Sequence, residues 1–241
     1  MELPILFEDD FYIAINKPAG LLVHKTSLAM DAEPVYAMQL LRDQIGQRVY
    51  PIHRIDRPTS GILWFAKSPD VVRVFQELFL DKEIKKYYLA IVRGYTKEEQ
   101  GLINQPLKKN LNKDLQEAQT EYLRLGQIEI PEASSPRHST SRYSLVRAFP
   151  HTGRMHQIRR HFAHERNYII GDKTHGDNKQ NRFFRMHFQM PNMLLHAWKT
   201  QMNHPVTGKE IHVEAPVPSY FNKILKEFNW ESLVHEVKYD S

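Results

Sequence analysis

The stretch His53-Arg54-Ile55-Asp56-Arg57-Pro58-Thr59-Ser60-Gly61 gathers more chemically able side chains than any other part of the chain. One carboxylate stands between two guanidiniums, with a histidine close by in sequence. Neighbouring positive charge favours the ionised form of a carboxyl group, and Pro58 and Gly61 are residues that fix a turn. An ionised, positioned carboxylate can act as a nucleophile. The same residues would also serve an aspartate that only structures its own loop. Hydrolysis of a glycoside uses a second carboxylate as acid or base. This loop has none, which argues against that reaction.

Other chemistries find less support. His156, His161 and His164 are close in sequence, but His161-Phe162-Ala163-His164-Glu165 does not have the His-Glu-x-x-His spacing of a zinc helix, and no acidic cluster suits a hard cation. These histidines are expected to cap, pack or touch phosphate. With no cysteine in the chain, disulfides, thiolate metal sites and a cysteine nucleophile are excluded. No Walker loop and no Gly-x-Gly-x-x-Gly occurs. Neither a metal nor a nucleotide cofactor is supported by these residues.

The chain has 241 residues, 41% hydrophobic and 25% charged, which places it among globular proteins and excludes a disordered or collagen-like chain. No apolar run reaches the length of a membrane-spanning helix. Met1-Glu2-Leu3-Pro4 carries an acid where a signal peptide carries basic residues, so a cytoplasmic protein with no membrane contact is expected. Charge is unevenly spread. From His151 to Arg185 there are eight Lys/Arg against three acids, an excess equal to the formal net charge of +5. Phe162, Tyr168, Phe183 and Phe184 are interleaved with it. That mixture suits a phosphate backbone with unstacked bases nearby; a solvated basic face is the plainer alternative.

The elements that must position these residues follow from periodicity. Phe11–Ile15 reads as a buried strand closed by the turn Asn16-Lys17-Pro18-Ala19-Gly20, and Leu21–Val23 as extended. Pro34 is expected to open a helix with Val35, Met38, Leu41 and Ile45 on its apolar side, ended by Gly46. Ile62–Ala66 is a second apolar strand. Ser68 and Pro69 then start a helix that buries Val71, Val74, Phe75 and Leu78. Tyr87–Val92 is a strand. The chain from Gly101 to Thr140 is polar, with a strand at Glu121–Leu125 and a flexible insertion over 100–113. Arg142–Phe149 is a strand and Met155–His164 a helix. Leu194–Trp198 and Ile211–Val213 are strands around the turn at 204–208, and Tyr220–Phe228 is a closing helix. Strands and helices without βαβ alternation predict an α+β fold, one domain over 1–241 on a mixed, largely antiparallel sheet flanked by helices.

The nine-residue loop at 53–61 resembles the signature of the RluA-type pseudouridine synthases. Other segments match the family in order: Asn16–Gly20, the tyrosine strand Tyr88–Gly94, the arginine motif Thr152–Arg159, then Gly171-Asp172, Leu195-His196-Ala197 and Ala215-Pro216. The likeness covers roughly 6–218 and thins through the polar region. Met155 stands where a small polar residue is usual, and Asn167-Tyr168 replaces a common His-Pro. Within the family, Arg42–Gln47, Arg159-Arg160-His161 and His175–Arg182 resemble the subgroup acting on uridine 65 of tRNA.

The resemblance implies isomerisation of a uridine in RNA to its C-glycoside, without water or cofactor. It makes Asp56 the essential carboxylate, attacking the sugar, attacking the ring or removing a sugar proton. Arg159 would be its basic partner, or else a phosphate contact. Tyr88 would stack on the uracil, unless it is a core tyrosine. Arg54, expected to point away from Asp56 in an extended loop, would enter the RNA where the base has left. Arg154, Lys179 and Arg182 would hold phosphates. The expected partner is tRNA, with no protein partner and no added N-terminal RNA-binding domain of the S4 type. An rRNA-directed relative and a catalytically inactive RNA-binding protein are the competing readings.

Overall fold

The computed structural model describes residues 1–24, 35–80, 83–109, 114–136 and 138–235. In chain order its elements are β1 (Ile5–Glu8), β2 (Tyr12–Lys17), α1 (Ala37–Ile45), β3 (Tyr50–Pro51), β4 (Ser60–Ala66), α2 (Asp70–Leu80), β5 (Lys85–Arg93), β6 (Gln100–Asn104), β7 (Leu107–Lys108), β8 (Leu115–Gln116), β9 (Gln119–Ile130), β10 (Ser141–Pro150), α3 (Gln157–His164), α4 (Asn178–His187), β11 (Leu195–Asn203), β12 (Glu210–Glu214), α5 (Ser219–Glu227) and α6 (Glu231–His235). The chain divides into two compact units, Met1–Lys86 with His196–Val217, and Tyr87–Leu195 with Pro218–Ser241. Two of the three boundaries fall inside strands, β5 and β11, where no linker composition could mark them, and the third lies between β12 and α5.

In the first unit the strands run β1-β2-β4-β11, with β3 on β4 and β12 on β11. The β4–β11 pairing is parallel and the other pairings in this unit are antiparallel. Side chains alternate across β2 and β4. Tyr12, Ala14, Ile62, Trp64 and Ala66 face Phe75 of α2 on one side. Ile13, Ile15, Leu63 and Phe65 face Ala37 and Leu41 of α1 on the other. A sheet covered on both faces needs unbroken apolar strands, which is why both runs read so clearly in sequence. The turn into β2 is set by Asp9, whose Oδ1 accepts from the amides of Phe11 (2.8 Å) and Tyr12 (2.7 Å).

The two helices differ from expectation in detail. Pro34 lies outside the described residues. Val35 precedes α1 and is exposed, while Met38 and Ile45 pack beside the buried Leu41. On α2, Phe75 is fully buried but Val74 faces out, and Val72 packs in its place. The Leu21–Val23 segment contributes a single bridge, Leu22 to Tyr36, rather than a strand.

The second unit is an antiparallel run β5-β10-β9-β6. Helix α3 lays Ile158 and Phe162 on Ala90, Val92, Val146 and Ala148. Phe184 of α4 and Phe228, which caps α5, close around Tyr143. The β9–β10 register shifts between Leu145 and Val146, leaving Leu125 of β9 as the extra residue of a bulge beside Gly126. A side chain at Gly126 would strike Trp230 and Leu233, so the strand admits α6 by having none.

The flexible insertion expected over 100–113 is corrected. Gln100–Asn104 is an edge strand on β9, and Leu107–Lys108 pairs with Leu115–Gln116; 110–113 lie outside the described residues. An edge strand buries one side only, so Ile103 goes in while Leu102 faces out, and the composition reads as loop. Strand β9 likewise extends well beyond Glu121–Leu125, because its pairing with β10 carries polar residues along. Helix α4 was not foreseen. Its sequence reads as a basic run, and its fully buried apolar contact is Phe184. The α+β class and largely antiparallel sheet are as expected.

Candidate active site

The Asp56 loop belongs to the first unit and joins β3 to β4. Along it Arg54 is exposed, Ile55 buried, Asp56 half-buried and Arg57 exposed. Exposure and burial alternate over Arg54, Ile55 and Asp56, as they do along an extended segment. Residues two apart in an extended segment share a face. The amide of Thr59 donates to the Asp56 carbonyl (3.0 Å), closing a four-residue turn with Pro58 at its third position.

Lys17 braces this loop from below. Its side chain is fully buried at the end of β2, and Nζ donates to the carbonyls of Pro18 (2.9 Å), Leu21 (2.9 Å) and Arg57 (3.2 Å). Gly20 completes the junction: its amide donates to the Arg57 carbonyl (2.8 Å), and its own carbonyl accepts from Arg57 Nε (2.9 Å). Gly20 has φ +89°, the left-handed region where glycine carries no steric cost. Burial lowers the Lys17 amine to about 7, against the opposing charge of Asp56 and with the added effect of Arg57. The Asn16–Gly20 motif was read from sequence, but the part its lysine plays was not.

Two histidines hold the loop's ends. His53 Nε2 accepts from the Trp64 amide (3.1 Å). Burial first, then the charge of Lys86, lowers the imidazole to about 3, partly offset by a backbone hydrogen bond at Arg54. Lys86 is itself lowered to about 8 by burial. At the other end, Ser60 Oγ lies 2.8 Å from His196 Nδ1. Gly61, with φ +107°, follows: a Cβ there would sit 2.1 Å from the Ala197 carbonyl oxygen, so β4 and β11 meet only because position 61 has no side chain.

The second unit carries the remaining sequence-predicted residues. Tyr88, on β5 opposite Ala148, is half-buried against the cluster of Ala90, Ile158 and Phe162. Arg159 on α3 is buried. Its Nε donates to Asp172 Oδ2 and its Nη2 to Asp172 Oδ1, each at 2.7 Å. Asp172 also accepts from the amides of Thr174 (2.9 Å) and His175 (3.1 Å). Burial pushes the Asp172 carboxyl up, but the bond and charge of Arg159 with these amides outweigh it, and the net shift is downward. Asp172 stood in a matching segment without an assigned role.

The turn before α3 is organised by Gln157. Its Oε1 accepts from Thr152 Oγ1 (2.6 Å) and the Arg154 amide (3.0 Å), while Nε2 donates to the Gln119 carbonyl and Thr120 Oγ1. Arg154 is thereby left exposed, with Nε on the Glu117 carbonyl (3.0 Å). His161 packs: it is buried between Thr120 Oγ1 and the Gln105 carbonyl. His156 instead pairs with His175, ring nitrogen to ring nitrogen at 2.9 Å. On α4, Asp177 caps the amides of Lys179 and Gln180 and accepts from Arg93, so Lys179 and Arg182 stand exposed on the helix surface. Among the described residues no three His, Asp or Glu gather as metal ligands, and no helix is long and apolar enough to cross a membrane.

Residues 11–164 match the RNA pseudouridylate synthase family. The chain is 43% identical over 240 residues to tRNA pseudouridine synthase C of Vibrio vulnificus, spanning 95% of this chain and 97% of that one. It is 45% identical over 241 residues to the Pasteurella multocida protein of the same name, spanning 96% and 98%. The fold is similar to that of human RNA pseudouridylate synthase domain containing 4, with a TM-score of 0.73 at 21% identity over 94% of this chain and 93% of that one. With a braced carboxylate loop, an arginine fixed in a buried ion pair, and likeness of this extent along the whole length, the chain belongs to the RNA pseudouridylate synthase family.

Proposed function

We propose that the protein isomerises a uridine of tRNA, at position 65, to pseudouridine, with Asp56 as the catalytic carboxylate and no cofactor. The observation that carries the reading is the full-length likeness to relatives named tRNA pseudouridine synthase C. Position 65 is supported by the subgroup-like segments Arg42–Gln47 and His175–Arg182.

In the reaction the N1–C1′ bond of the nucleotide breaks and a C5–C1′ bond forms. The proton on C5 is lost and N1 gains one, so atoms balance without an oxidant, reductant or water. A half-buried carboxylate on a loop braced by Lys17 and Arg57 suits a group that must meet one sugar or ring carbon. Tyr88 offers a partly exposed aromatic ring for the uracil, and Arg159 is a guanidinium fixed in place for the chemistry. Arg54 stands exposed, as entry into the space left by a flipped base requires. Arg154, Lys179 and Arg182 are exposed cations suited to phosphate. The protein acts in the cytoplasm, where tRNA is its partner.

The test is to delete the gene and map pseudouridine across tRNA and rRNA with an adduct that stops reverse transcription. Loss at tRNA position 65 is expected. Loss confined to an rRNA site, with every tRNA site retained, would overturn the substrate assignment.

A further inference from the structure

Ser60 and His196 meet where the Asp56 loop becomes β4. His196 is fully buried, with Nδ1 2.8 Å from Ser60 Oγ and Nε2 3.1 Å from the Ala215 carbonyl oxygen. A carbonyl can only accept, so Nε2 carries the ring proton and Nδ1 accepts the Ser60 hydroxyl proton. Burial lowers the imidazole to about 4, which keeps the ring neutral and this tautomer in place. The two residues are also opposite one another in the parallel β4–β11 pairing, beside the close approach at Gly61. Immediately before Ser60, the Thr59 amide closes on the Asp56 carbonyl. A continuous series of contacts therefore leads from Ala215 through His196 and Ser60 to the backbone of Asp56.

We propose that His196 is a positioning residue for Asp56, holding the end of its loop through the Ser60 hydroxyl. The inference rests on the reading of Asp56 as the catalytic carboxylate. Lys17 fixes the loop at Arg57, and the Ser60 contact fixes the strand end that the turn leads into. A carboxylate displaced by about 1 Å can lose on the order of a hundredfold in rate.

The two ring nitrogens can be tested separately. Asparagine places its carbonyl oxygen near the position of Nδ1 and can still accept from Ser60. Glutamine places its amide nitrogen near Nε2 and keeps only the Ala215 contact. Ser60→Ala, His196→Asn, His196→Gln and Asp56→Asn are compared in the full chain. The readouts are single-turnover tritium release from C5-labelled tRNA transcript at saturating enzyme, transcript affinity by filter binding, and the thermal midpoint. Ser60→Ala and His196→Gln are expected to slow turnover by about ten- to a hundredfold, with affinity changed no more than a few-fold. His196→Asn should stay within a few-fold of the parent rate.

Parent-like turnover in Ser60→Ala overturns the inference. So does an equal loss in the two histidine variants, which would track the buried ring and not the bond to Ser60. If His196→Gln does not fold, Ser60→Ala, which removes a single oxygen atom, decides alone. Turnover by Asp56→Asn would remove the catalytic reading and this inference with it. An inactive Asp56→Asn beside a parent-like Ser60→Ala would overturn the positioning role only.

Discussion

Arg159 and Asp172 form a two-pronged ion pair in which both side chains are almost wholly withdrawn from water, at 3% and 1% exposure, with two contacts of 2.7 Å. Removing one partner of such a pair strands the other charge in a poor solvent. Asp172→Asn is expected to destabilise the protein by about 3–5 kcal/mol, measured by urea denaturation at neutral pH. The native carboxyl lies below its ordinary range. Its contribution is therefore present above the unfolded-state pKa and is lost as pH falls through the lowered native value. An unchanged midpoint would mean that the pair contributes nothing net.

Asp56→Asn should abolish isomerisation while leaving RNA affinity within a few-fold. A carboxylate adds nothing favourable to phosphate binding, so its loss should be felt in the chemistry. Single-turnover assays with filter binding separate the two. Measurable turnover by the purified variant would contradict the assignment.

Arg159→Ala and the exposed cations of α4 should behave differently. Loss of the buried guanidinium should lower turnover more than binding. Lys179→Ala and Arg182→Ala should mainly weaken binding, each flattening its salt dependence by roughly one unit of slope. If Arg159→Ala proves a pure binding variant, its part in the chemistry is wrong.

Acid should unfold the protein partly through His196. Its native pKa, about 4, lies below that of an exposed imidazole. The unfolded chain therefore binds one more proton between roughly pH 6.5 and 4, and stability falls as pH falls through that window, by about 1.4 kcal/mol per pH unit. Urea midpoints at pH 7, 6 and 5 should show a slope reduced by one proton in His196→Asn. Equal slopes would show that this ring does not titrate as its burial dictates.

Exhaustive chelation should leave activity intact. The observation behind this is the lack of any three-ligand His/Asp/Glu grouping among the described residues. Activity lost to chelator and restored by a divalent ion, with the RNA's own folding controlled, would show a metal requirement.

Sequence made the Asp56 loop legible because its chemical residue types are contiguous, and it made β2 and β4 legible because burial on both faces demands unbroken apolar runs. The edge strand β6 was hidden by its exposed Leu102 and polar neighbours. Lys17, Asp172 and His196 were present in matching motifs but carried no assigned role. What each does depends on partners 40, 13 and 136 residues away in the chain, Arg57, Arg159 and Ser60. A buried polar group takes its meaning from its hydrogen-bond partner, and a partner so distant is not visible in local spacing.

Lys17 also gives the molecule a built-in reporter. Burial brings this amine down to about 7, and its three donations to backbone carbonyls keep it sealed beneath them. An acylating reagent can reach it only when the junction between the Asn16–Gly20 turn and Arg57 opens. Its labelling rate at fixed pH therefore measures how often the floor of the Asp56 loop comes apart, without any probe having to be introduced.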